Sequence, residues 1–257
     1  MRATLHYLSM RARTRLAYRG DLVAQAAGDI AIGAVGVLFL GALFSRVPDV
    51  RGWGPGEVLV VWGMAEVAAG LSRCLFAGAE VFNRRYLVGG DLDRLLLRPL
   101  DPLLQVYLDH AGLQGLPTVV MGGAMAGAGL AMLPTVPAAA AWLPLFALGG
   151  AALLGAMLTA SCAAGFLAHH RGSAVGLVQQ TAAFGRYPVE IFPAPLQRVL
   201  TSVVPVALLS AVPVAWALGR DAPAALALTQ PLLGGVALAG AVALWRRGLR
   251  RYTSAGS

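Results

Sequence analysis

Five apolar runs, at about 22–44, 57–82, 103–133, 138–168 and 224–245, are divided by short polar loops, and each exceeds the roughly 20 residues that carry a helix across a bilayer. Hydrocarbon offers the backbone no hydrogen bonds, so crossing segments of this length satisfy their own amides as helices. Hydrophobic residues make up 58% of the chain and charged residues 12%, against about 25% charged in soluble domains. The expectation is an all-α membrane protein, with residues 1–257 forming a single transmembrane domain.

All 20 basic residues are arginine, and the absence of lysine excludes both a Walker A phosphate loop and Schiff-base chemistry on this chain. The net charge of +8 is spread over several loops and forms no basic domain, so it reads as membrane orientation and no nucleic-acid partner is expected. Cys74 and Cys162 lie inside apolar runs without metal spacing. The adjacent His169 and His170 point in different directions, and no metal site or bound cofactor is expected on this chain. Residues 1–20 place Met1, Leu5, Leu8, Ala12 and Leu16 on one side of a helix with arginines around the rest, the pattern of an interfacial helix, and they lack the apolar core of a cleavable signal.

Charges within the apolar runs are the next constraint, because one facing lipid costs on the order of 3 kcal/mol. Asp29 falls about two turns into the first run and is expected to face a partner helix or the interface. Glu66, Arg73 and Glu80 recur every seven residues in the second, on one helical stripe. Two readings fit: the lining of a transport path or subunit seam, and ion pairs to neighbouring helices. In the third run Asp109, His110 and Gln114 stand near the cytoplasmic surface, and Gly123 and Gly127 have a register that permits close helix contact.

The stretch GGDLDRLLLRPLDP, residues 89–102, is the one polar interruption that looks built. Two glycines break the preceding helix, Asp91 or Asp93 is placed to cap a new one, and Pro99 ends it. Leu92, Leu95 and Leu96 share a face while Arg94 and Arg98 point elsewhere. Asp101 and Pro102 then read as the N-cap and first residue of the next helix.

The pattern GxLDxLLxRPLxP between the second and third spans resembles the permease subunits of type-2 ATP-binding-cassette (ABC) exporters. That resemblance implies a cytoplasmic coupling helix that docks on a separate ATPase, formed here by Gly90, Asp91, Leu92, Asp93, Arg94, Leu95, Leu96, Arg98 and Pro99. It further implies ATP and magnesium on that partner, present as two copies or a dimer, and a second permease, identical or related.

Charge parity sets the number of crossings. Residues 173–187 reach only about 22 Å as a helix, short of the roughly 30 Å core, and the sequence after Tyr187 is broken by prolines. Six crossings, at about 22–44, 57–82, 103–133, 138–168, 173–187 and 224–245, keep both termini and most arginines cytoplasmic. One reading has 173–187 crossing and 188–218 re-entering from outside; the other has a buried half-helix followed by a crossing at 196–218. The resemblance favours the first, since that family has re-entrant helices there. Broken backbone at depth needs protein or a watery cavity around it, which makes Tyr187, Pro188, Glu190, Pro205 and Pro213 candidates for an external gate.

The function expected is therefore that of a permease subunit of an ATP-driven exporter in the bacterial cytoplasmic membrane. The alternative is a stand-alone ion-coupled carrier or channel using Glu66, Arg73 and Glu80 as coupling charges, but no repeated halves are evident. An intramembrane protease lacks its serine turn and its HExxH motif.

Overall fold

The computed structural model describes residues 19–167 and 174–252, and across them the architecture is helical, with a single bridge between Val50 and Trp53 in place of any strand. Ten α-helices follow in chain order: α1 Arg19–Phe44, α2 Pro55–Val81, α3 Asp91–Leu96, α4 Pro102–His110, α5 Leu116–Ala131, α6 Leu143–Leu167, α7 Val175–Ala182, α8 Ala194–Arg198, α9 Ala211–Ala217 and α10 Ala224–Leu249. Among the described residues four stretches are long and apolar enough to cross a membrane, Ala26–Phe44, Pro55–Val88, Ala138–Phe166 and Ala224–Leu249, which makes the chain a multi-pass membrane protein. The expected interfacial helix at the N-terminus and the loop holding His169 and His170 lie outside the described residues.

α2 is the central element, packed on α5 and on α6, with α10 against the far side of α6. Its start is fixed chemically: Pro55 has no amide to leave unsatisfied, and the Glu57 carboxylate accepts from the Gly54 amide at 2.9 Å. Without a hydrophobic drive between helices in lipid, close backbone approach supplies the attraction. Gly56, Gly63 and Gly70 of α2 meet Gly129, Gly122 and Gly115 on and beside α5, in antiparallel register. A Cβ on Gly63 would stand 2.5 Å from the Gly122 carbonyl oxygen, and one on Gly122 2.5 Å from that of Gly63. This corrects the register read from Gly123 and Gly127, which have nothing within 4 Å of their Cβ positions.

The third apolar run is not one rod. α4 stops at His110, Ala111 and Gly112 are extended, and α5 begins at Leu116 with Pro117 in its first turn. The break is bridged from outside the helix: the Gly112 amide donates to the Cys74 carbonyl of α2 at 3.0 Å. Past Val81, the second span continues through a π-helical stretch, Phe82–Val88.

Residues 183–217 hold no helix long enough to span. Short 3₁₀ turns, a π-helical turn and the short helices α8 and α9 alternate with prolines. Val206, Ala207, Leu208 and Leu209 are nevertheless buried. Their amides are met within the turn, Leu208 donating to the Pro205 carbonyl and Leu209 to that of Val206, and side chains tie the turn to its surroundings: Gln230 of α10 donates to the carbonyls of Leu208 at 3.0 Å and Phe146 at 3.2 Å, and Ser210 Oγ donates to the Gly185 carbonyl. Both flanks are tied to the loop before α2. Arg51 donates to the Glu190 carbonyl at 3.1 Å, while Arg220 pairs with Glu57 at 2.7 Å and lies 4.1 Å over the Trp53 ring.

Candidate functional site

Two places gather the polar residues singled out by sequence: the short helix α3 on one surface, and a cavity beside α2.

α3 begins at Gly90, whose φ of 73° is the left-handed conformation glycine adopts without strain. Gly90 occupies the cap position, so Asp91 and Asp93 stand in the first turn instead of capping, where the helix dipole favours their charge. Asp91 is held by Arg85 Nε at 3.1 Å and faces Arg94 at 3.7 Å. The leucine face divides in two. Leu92 and Leu95 are buried in the core with Phe82, Tyr86 and Val106, and so anchor the helix to its own chain. Arg94, Leu96, Leu97, Arg98 and Pro99 are exposed, and Leu97, at 87% exposure, is the most open large hydrophobic residue of the molecule's described part. A device invisible in the sequence closes the far end: Gln105 of α4, buried, donates to the carbonyls of Leu95 at 3.1 Å and Leu100 at 3.0 Å. The expected cap of α4 is present, Asp101 accepting from the Leu104 amide at 3.1 Å.

The stripe Glu66, Arg73 and Glu80 lines a cavity of about 300 Å³ between α2, α6 and α7, with Gln179 and Arg186 opposite and small apolar side chains between. One nitrogen of the Arg73 guanidinium donates both to Asp29 of α1 at 2.8 Å and to Thr118 of α5 at 3.1 Å, and Thr118 donates to the same Asp29 oxygen at 3.0 Å. One polar triad thereby links three helices. Glu66 pairs with Arg186 at 2.7 Å and accepts from the Trp62 indole at 3.0 Å. Glu80 shares the cavity and has no cation within ion-pair distance among the described residues. The stripe thus carries features of both readings, ion pairs to other helices and a polar wall to an open volume. Thr118, Gln179 and Arg186 were not picked out by sequence as members of this site; no spacing signal connects them to α2, because they arrive from separate segments.

The proposed gate residues are spread along the broken segment. The Tyr187 ring lies 5.9 Å from that of Trp62, beside Arg186. Pro188 opens the 3₁₀ turn Val189–Ile191, and the Glu190 carbonyl accepts from Arg51 and from Gln197. Pro205 precedes the buried turn Val206–Leu208, and Pro213 sits buried in the first turn of α9, where its missing amide leaves no bond unmade. Among the described residues no three His, Cys, Asp or Glu side chains come together as a metal site.

No curated protein and no solved structure matches the chain significantly. A family model does: that of the ABC-2 family transporter proteins matches residues 30–256. It runs from the first span through the arginine-rich end of α10 and so takes in both the cavity and the short surface helix. On that match the chain belongs to the ABC-2 transporter family, as a membrane permease subunit.

Proposed function

We propose that this subunit works in an ATP-driven exporter, coupled through α3 to a separate ABC ATPase on the cytoplasmic side of a bacterial cytoplasmic membrane. The single observation that supports the coupling role most is the division of α3. Its buried leucines fix it rigidly between α2 and α4, while Arg94, Leu96 and Leu97 are left to meet a partner. Closure of the ATPase dimer, with ATP and its magnesium held there, pushes on that exposed face. Movement passes to the π-helical end of the second span through the Asp91–Arg85 pair, and to α4 through Gln105.

On this reading the chain crosses six times with both termini cytoplasmic. α4 and α5 together make the third crossing, residues 173–187 the fifth, and 188–218 a re-entrant segment entered from outside. The ties from Arg51 to Glu190 and from Arg220 to Glu57 support that arrangement, since both put the ends of the broken segment at the loop before α2. Tyr187, Pro188, Glu190, Pro205 and Pro213 belong to its external gate, and a second permease, identical or related, completes the path. Purification of the full-length subunit from native membranes in mild detergent tests the reading. An exporter permease brings down an ABC ATPase, and recovery of the chain alone speaks for the ion-coupled carrier instead.

A further inference from the structure

We propose that the cavity between α2, α6 and α7 is a binding site for an amphiphilic organic cation, held by Glu80; that this is the class of molecule exported rests, in addition, on the permease reading. Among the described residues two carboxylates, Glu66 and Glu80, and two guanidiniums, Arg73 and Arg186, line the cavity; Arg73 is paired with Asp29, which stands outside the lining, at 2.8 Å, and Arg186 with Glu66 at 2.7 Å. Glu80 is the remaining carboxyl group of the lining, its hydrogen-bond partner the neutral Gln179 amide. An anionic ligand would meet guanidiniums already compensated by carboxylates and would add a negative charge beside Glu80 with nothing to balance it, in surroundings of low dielectric. A cation breaks no ion pair and finds in Glu80 a carboxyl group with no cation of its own among the described residues. The rest of the wall selects for an apolar body: Ala65, Ala68, Ala69, Leu154, Leu158 and Ala182 face the same volume. At about 300 Å³ that volume stands at the lower end of the range for small-molecule sites, roughly 300–1,000 Å³.

Isothermal titration of the full-length chain in nanodiscs tests this with three probes sharing one ring system: naphthylmethylammonium, naphthylmethanol and naphthylacetate. The cation is expected to bind at least about tenfold more tightly than the alcohol, and the acetate weakest. Glu80→Gln is expected to erase the preference for the cation while binding of the alcohol persists, which shows that the variant is folded. Ala183→Leu, which fills the cavity without touching a charge, is expected to weaken all three probes together. Equal affinity for the three probes, tighter binding of the acetate, no binding of any, or a cation preference that survives Glu80→Gln would each overturn the inference. Co-purification of wild type with an ATPase separates the two claims. With the ATPase present and the cation preference absent, the cavity assignment fails and the permease reading stands; with no ATPase recovered, the permease reading fails whatever the probes do.

Discussion

Gly63 and Gly122 touch through their backbones, so side chains there act as wedges. Gly63→Val is expected to destabilise the subunit by about 2–3 kcal/mol, whereas Gly123→Ala, with open space at its Cβ, leaves stability unchanged or slightly raised. Thermal unfolding in detergent distinguishes this register from the one built on Gly123 and Gly127. Arg73 and Asp29 make the complementary case. Removing either leaves a charge without its partner, so Arg73→Gln and Asp29→Asn are each expected to be more harmful than additivity allows for the pair. A double-mutant cycle should return a coupling of about 1 kcal/mol or more, and strict additivity would contradict the ion-pair role. At this scale the sequence was legible where a residue is costly to misplace. Seven-residue spacing put Glu66, Arg73 and Glu80 on one stripe because charge in lipid leaves few alternatives. Glycine carries no such penalty, and the contacting face of α5, Gly122 and Gly129, is marked by polarity only at Thr118, one turn before Gly122, a signal too small to set that face apart from its neighbour. Gln105 and Gln230 were equally silent, since their work is to satisfy carbonyls at breaks the sequence did not place.

α3 is two surfaces on one pair of turns. Leu92→Ala removes a fully buried side chain and is expected to lower stability by about 2–5 kcal/mol, with any loss of coupling secondary to that. Leu97→Ser lies at the open end and is expected to leave the unfolding temperature unchanged while weakening retention of the ATPase. Comparing unfolding with ATPase recovery for the two variants separates anchoring from docking. Replacing Asp93 and Arg94 together is expected to uncouple ATP hydrolysis from transport at normal expression. The boundaries of α3 could be read because glycine, proline and aspartate have strong local preferences on either side of it. The broken third span could not, although Gly112, Gly115 and Pro117 are all breakers. Hydropathy is continuous across them, and the break is stabilised by a bond to Cys74, a partner no local pattern specifies.

For the whole molecule the account depends on sidedness and on one contact. Single cysteines replacing Ser45 or Asp221, beside the loops that tie Glu190 and Arg220 to the start of α2, are expected to react with impermeant reagents from outside, and one replacing Leu97 only from inside. The all-α class and the four long apolar stretches were legible because apolar length is a bulk property. The path of 188–217 was not, since its turns are held by Arg51 and Gln230 from distant segments and its far end is fixed by the reach of Arg220 to the Gly52 carbonyl. The most direct measurement replaces Leu97 with a photoactivatable benzophenone amino acid and irradiates native membranes. The account predicts a covalent adduct between this subunit and an ABC ATPase; an adduct with lipid alone, or no protein adduct while the subunit is properly inserted, would contradict it.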